Sequence, residues 1–202
     1  MLSYFTTEQR EKLKAARIGI AGCGGLGSNV AMMLARSGIG AFVLIDGDRV
    51  ERSNLNRQHF FPQHIGQSKV SALAEQLREL SPTIGLQSHA LWLDESNLPN
   101  LLAQADIWIE ALDDAATKAM FSLHALRAGK TLICGSGMGG FGGRQMTRRI
   151  MKRPRGLLVV VGDMQTDIAQ CPPLAPRVTQ CAAMQADAAI EYILTGIVEP
   201  LL

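Results

Sequence analysis

The chain has no closely spaced cysteine pair. Cys23, Cys134, Cys171 and Cys181 form no Cys-x-x-Cys unit, which excludes a zinc knuckle and a secreted disulfide framework and leaves a reducing cytoplasm as the expected setting. A long apolar stretch is missing too. The N-terminus carries Glu8, Arg10, Glu11, Lys12 and Lys14, and the run from Leu157 to Val161 is far too short to span a bilayer, so no export signal or membrane partner is expected. Neither sign of charge is in excess. A net charge of +2 and a pI near 8.4 give no general pull toward nucleic acid, and none is expected as a partner. His59, His64, His89 and His124 have neither metal-ligand spacing nor a nucleophile beside them, and read as packed or partly exposed side chains. Repeats and low-complexity tracts are absent.

What the chain does have is a concentrated motif. Ile18, Ile20 and Ala21 form a short apolar strand that runs into Gly22-Cys23-Gly24-Gly25-Leu26-Gly27. Glycines there let the backbone turn sharply, so that the amides opening the next helix face an anion, most naturally phosphate. Gly25 to Ser37 is helix-compatible, with Leu26, Val30, Met33 and Leu34 on one side. A second buried strand from Phe42 to Ile45 ends at Asp46, about 20 residues after the last glycine, where a ribose-binding carboxylate is expected. This is a nucleotide fingerprint in its strand, turn and helix setting, and it does not choose between NAD and ATP.

The rest of the pattern completes an α/β reading. With 202 residues, 47% of them hydrophobic, residues 1–202 are expected to form a single domain. Thr6 and Gln9 suggest a capping box opening a charged helix from Glu8 to Ala16. Lys69 to Leu80 has helical periodicity, stopped by Ser81-Pro82, and puts Lys69 in a first turn, where a cation is disfavoured by about 0.3 to 1 kcal/mol unless an anion is supplied from elsewhere. Ile84 to Leu91 reads as a strand and Glu95 to Ala103 as a short helix broken near Pro99. Asp106 to Ala111 is a clearer strand, delivering Leu112, Asp113 and Asp114 to a helix from Ala115 to Ala128, where an acid either caps the helix or serves a site. Thr131 to Cys134 is a fifth strand. Gln145 to Met151 and Leu157 to Val161 read as a hairpin, Asp163 to Pro176 as an irregular, substrate-crossing loop, and Val178 to Leu194 as a helix. The expected architecture is a Rossmann-like, mostly parallel central sheet with helices on both faces and an added antiparallel hairpin in the C-terminal part. Gly22, Asp46 and Asp113 would then meet at one mouth.

Together, Gly22 to Gly27, Asp46-Gly47-Asp48, Ser53-Asn54-Leu55-Asn56-Arg57-Gln58, Gly66-Gln67-Ser68-Lys69 and Asp113 resemble the ThiF/MoeB/HesA family, adenylyltransferases related to ubiquitin-activating enzymes. Ala175-Pro176-Arg177-Val178 is similar to the short ThiF branch of thiamine synthesis. The resemblance implies ATP and Mg²⁺ as cofactors, a homodimer, and a ubiquitin-like sulfur carrier ending in a glycine pair, whose C-terminal carboxylate is adenylated with release of pyrophosphate. By that likeness Arg57 and Lys69 supply cations to the phosphates, Asn54 and Gln58 touch phosphate, Asp46 binds ribose and Asp113 holds Mg²⁺. Gly22, Gly24, Gly25, Gly27, Ser53 and Leu112 complete the nucleotide set, with Asp48 as a further nucleotide or metal contact. Members with two Cys-x-x-Cys pairs hold zinc; this chain has neither pair, so no zinc is expected. Arg10 and Arg17 are the arginines available for donation across a dimer, without an assigned role. Cys171 is an ordinary thiol or, as in some relatives, forms a sulfur-linked intermediate. Arg144, Arg148, Arg149, Lys152, Arg153 and Arg155 read as a solvated hairpin face that could instead steer an acidic carrier. Two alternatives remain open: an NAD-dependent oxidoreductase, and a non-catalytic nucleotide-sensing or carrier-docking protein. Within the family, a molybdopterin carrier or a modified tRNA nucleoside are the other substrates.

Overall fold

A computed structural model describes residues 4–136, 139–141, 145–153, 156–163 and 171–199. Helix α1 (Thr7–Ala15) opens on the Thr6/Gln9 capping box and leads into β1 (Arg17–Ala21), α2 (Gly25–Arg36) and β2 (Ala41–Ile45). After two 3-10 turns come α3 (Lys69–Leu80), β3 (Gly85–His89), α4 (Leu98–Leu102), β4 (Ile107–Glu110), α5 (Ala115–Arg127) and β5 (Thr131–Ser136). Strands β6 (Thr147–Arg153) and β7 (Gly156–Gly162) and helix α6 (Ala175–Thr195) complete the order.

The described strands form one sheet in the order β3-β2-β1-β4-β5-β7-β6. All neighbours are parallel except β6 and β7, which pair antiparallel from Thr147↔Gly162 to Arg153↔Gly156. Apolar residues on successive positions explain the layering, because adjacent strand side chains point to opposite faces. Ile18, Ile20, Phe42, Leu44, Ile109 and Ile133 pack with α2, α3 and α6 residues such as Val30, Leu34, Leu73, Leu77 and Ala182. Val43, Ile45, Trp108 and Leu132 face the other way, onto Leu98, Leu101, Phe121 and Ala125 of α4 and α5. Each such fully buried Leu, Ile or Phe contributes on the order of 1.5–3 kcal/mol. The chain leaves β1 toward β2 and β3, then returns to β4 on the other side of β1. That reversal opens a crevice at the carboxyl ends of β1 and β4.

Two sequence expectations need correction. Pro99 does not break a helix beginning at Glu95; it lies in the first turn of α4, which starts at Leu98, because proline lacks only an amide that would be unpaired there. Arg148 is no solvated hairpin residue. Its side chain is 3% exposed and donates to Asp187 (2.5 Å) and Glu191 (2.6 Å) of α6 and to the Glu199 carbonyl (3.1 Å). It thereby ties the hairpin and the end of the chain's described part to α6. Arg149 and Lys152 are exposed, whereas Arg144 and Arg155 and the side chain of Arg153 lie outside the described residues. Removing Arg148 leaves acids that are already partly wet (69% and 24% exposed), so Arg148→Met should cost about 2–3 kcal/mol rather than the full penalty of a stranded buried charge. Urea unfolding checks this: the midpoint should fall with the slope unchanged.

Candidate active site

The glycine turn is shaped by contacts that side chains would spoil. Gly22 has φ +91°, and a Cβ there would lie 2.5 Å from the Ala111 carbonyl oxygen at the end of β4. At Gly27 a Cβ would sit 1.8 Å from the Gly22 carbonyl oxygen, so glycine lets α2 close onto the end of β1. The N-cap of α2 is Gly24, which brings no side-chain hydrogen bond and leaves the first-turn amides for an anion.

Asp46 ties this turn to the next. Its Oδ2 accepts the Cys23 amide (2.7 Å) and its Oδ1 accepts the Asp48 amide (2.8 Å). Burial raises its pKa, although Lys69 and the two amides oppose the shift. Residues 48–50 pair with 66–69: Lys69 N–H donates to the Asp48 carbonyl (3.0 Å) and Val50 N–H to the Gln67 carbonyl (2.9 Å). This holds Lys69, itself 7% exposed, over the acidic turn, and its Nζ donates to Asp48 Oδ2 at 2.7 Å. The anion that offsets a lysine at the start of α3 does come from outside the helix: it is Asp48, 21 residues earlier in the chain.

The segment that follows divides into turn-makers and cleft residues. Asn54 accepts the Glu51 amide (3.0 Å) and closes the 3-10 turn Arg52–Asn54; Ser53 bonds Glu51 (3.2 Å). Arg57 is braced by the Ser53 carbonyl (3.2 Å) and Asn56 Oδ1 (2.8 Å), and Gln58 is buried with no donor for its Oε1 among the described residues. At the other side of the crevice the two adjacent acids separate. Asp114 caps α5, accepting Thr117 N–H and Oγ1–H at 2.7 Å each, while Asp113 is exposed and makes no hydrogen bond among the described residues.

These elements line one cleft of about 460 Å³. Gly22, Gly24, Gly25, Asp46, Asp48, Arg57, Gln58, Lys69, Leu112 and Asp113 border it; Gly27, Ser53 and Asn54 do not. Sequence reasoning gave no role to Trp92 and Lys118, which line the cleft, or to Glu110, which lies behind Lys118. Trp92, 69% exposed, lies against Gly47 and adds an aromatic wall beside Leu91 and Leu93. Glu110 is fully buried at the end of β4, and Lys118, which lines the cleft, donates to it at 2.6 Å. An acid ending an otherwise apolar strand was the available signal for that pair. No group of three or more His, Cys, Asp or Glu converges on a metal position among the described residues, and no described helix is long and apolar enough to cross a membrane.

The cysteines differ sharply in environment. Burial pushes the Cys134 thiol up to about 12 and the Cys181 thiol up to about 11, and raises Cys23 well above the usual thiol range, whereas Cys171 is exposed. Residues 164–170 of the irregular loop lie outside the described residues. A thiol reagent at pH 8 should therefore titrate one fast cysteine in the folded protein and all four after denaturation, and Cys171→Ser should remove the fast phase.

The chain is similar to several known proteins. The chain is 35% identical over 172 residues to the adenylyltransferase and sulfurtransferase uba4 of Aspergillus niger, covering 85% of this chain and 35% of that one. It is also 35% identical over 140 residues to the adenylyltransferase and sulfurtransferase MOCS3-2 of Zea mays, covering 69% and 29%. The chain thus spans about a third of the length of these curated relatives. Among solved structures, E. coli tRNA N6-threonylcarbamoyladenosine dehydratase, TcdA, in complex with AMP superposes with a TM-score of 0.86 at 21% identity, covering 96% of this chain and 92% of that one. E. coli MccB with ATP gives 0.70 at 23%, covering 96% and 64%. At such identities the structures speak for the fold alone. The family model described as the ThiF family matches residues 1–201, and the chain belongs to that family.

Proposed function

We propose that this chain acts as a single ATP-binding domain that adenylates the C-terminal glycine carboxylate of a ubiquitin-like sulfur carrier. The supporting observation is the meeting of Arg57, Lys69 and Asp113 from three distant segments around one glycine turn, with Asp46 beside it. The named activity of the relatives, adenylyltransferase and sulfurtransferase, supports the same reading. Ala175-Pro176-Arg177-Val178 favours the thiamine branch over the other carriers. A homodimer in the cytoplasm is the assembly and setting that go with it.

The reaction requires no enzyme nucleophile. A carboxylate oxygen of the carrier attacks the α-phosphorus of ATP, the bond from that phosphorus to the bridging oxygen of the β-phosphate breaks, and pyrophosphate leaves. Both reactants are anions, so the protein's work is to hold them in line and to stabilise charge growing on the phosphates. Arg57 and Lys69 do the second task. Amides of the glycine turn cradle phosphate, and Asp46, already fixed by two amides, keeps lone pairs for the ribose hydroxyls. Mg²⁺ fits the residues present: it is commonly bound by one or two carboxylates plus phosphate oxygens and water, and Asp113 offers one free carboxylate at the cleft. When bound there, it would neutralise phosphate charge.

ATP–pyrophosphate exchange tests the proposal. The expected result is exchange that requires Mg²⁺ and a sulfur carrier with an intact glycine terminus, together with a carrier heavier by one AMP in intact-mass spectra. NAD binding without any exchange would overturn it in favour of an oxidoreductase.

A further inference from the structure

One cation at the cleft has no task in this scheme. Lys118, four residues into α5, sits on the β4/β5 side, whereas Lys69 sits on the β2 side. Strands β2, β1, β4 and β5 are successive neighbours and Lys118 bonds groups on both β4 and β5, so at about 4.8 Å per strand the two sides are roughly 10–14 Å apart. A triphosphate held by Arg57 and Lys69 therefore leaves the Lys118 side for a second reactant.

The geometry around Lys118 is that of a fixed donor with capacity left over. Its Nζ donates to Glu110 Oε2 (2.6 Å) and to the Gly135 carbonyl at the end of β5 (3.0 Å). An ammonium has three N–H bonds, so one is unspent among the described residues. Glu110 cannot turn away, because it is 0% exposed and its Oε1 accepts the Leu112 amide at 2.8 Å. The lysine side chain is 32% exposed and borders the cleft, which Thr117, Gly135, Ser136 and Pro173 also line.

We propose that Lys118 receives the carboxylate of the acyl substrate, a peptide C-terminus, and orients it toward the α-phosphorus. The inference rests on the adenylation reading and adds the group that holds its second reactant. Pairing with Glu110 suits that task. A lone cation would stabilise the attacking carboxylate in its ground state and slow the attack, whereas a lysine that already shares its charge aims the carboxylate at less cost to its reactivity.

The test compares an acetylated octapeptide ending in Gly-Gly with its C-terminal carboxamide, each titrated in the presence of a saturating non-hydrolysable ATP analogue. Wild type should bind the carboxylate at least about tenfold more tightly, the scale of one charge-assisted hydrogen bond. Glu110→Gln combined with Lys118→Met removes both charges together, and should bring that ratio to about one while leaving affinity for the ATP analogue within about twofold. If that double variant does not fold, Lys118→Gln, which can still donate to Glu110, gives the same readout. A ratio that stays near tenfold in the variant overturns the assignment. So does a variant that loses ATP-analogue affinity with the ratio unchanged, since Lys118 then serves phosphate. Either result with wild-type pyrophosphate exchange intact sinks this inference alone; absence of exchange in the wild type sinks the adenylation reading itself.

Discussion

Replacing Lys69 by methionine should lower carrier-dependent ATP–pyrophosphate exchange by about 10²- to 10³-fold, the usual cost of removing one preorganised donor from a charge-developing transition state. Lys69 is 7% exposed and anchored through the first turn of α3, so its stem is placed at the cleft before ATP arrives and only its ammonium has to turn from Asp48 to phosphate. Its only polar partner among the described residues is Asp48, at 2.7 Å. Asp48 is 43% exposed and can hydrate once unpaired, so the substitution should shift thermal stability far less than activity. Initial exchange rates at saturating ATP, with a melting curve of the same sample, check both halves. A rate within threefold of wild type would remove Lys69 from the chemistry.

The second large effect comes from two neighbouring acids that the structure separates. Asp113→Asn should reduce exchange by at least about 10²-fold and weaken its dependence on Mg²⁺, because the one unengaged carboxylate of the cleft is gone. It should leave folding nearly unchanged, since Asp113 makes no hydrogen bond among the described residues. Asp114→Ala should do the reverse. It removes the cap of α5, with its two 2.7 Å bonds from Thr117, at a cost of about 1 kcal/mol, and should keep exchange close to wild type. Exchange across a Mg²⁺ titration, paired with denaturant midpoints, separates the two. Loss of exchange in the Asp114 variant with full exchange in the Asp113 variant would reverse the assignment.

Much of the scaffold was legible from local pattern. The helical spacing of Val70, Leu73, Ala74 and Leu77 marked Lys69–Leu80 with its observed bounds, and the Thr6/Gln9 capping box is present as expected. The strands around Phe42 and Ile109 were readable because both sheet faces are covered, which leaves continuous apolar runs. Partnerships across the fold were not readable. Arg148 looked like one more cation in a basic hairpin, and only the placement of α6 brings Asp187 and Glu191 to it. Lys69 advertised a need for an anion, yet the identity of Asp48 depends on the pairing of residues 48–50 with 66–69. Lys118 and Glu110 are eight residues apart, but their relation to the cleft depends on Gly135, from another strand. Asn54 shows the converse: a motif residue whose side chain closes a turn and does not border the cleft.

A crystal structure with Mg²⁺ and a non-hydrolysable ATP analogue would show whether Lys69 and Arg57 receive the triphosphate at the glycine turn. The expected result is that Lys69 Nζ leaves Asp48 and joins Arg57 on the phosphate oxygens, with the ribose at Asp46. A triphosphate directed into bulk solvent, with the Lys69–Asp48 pair still closed at 2.7 Å, would contradict it.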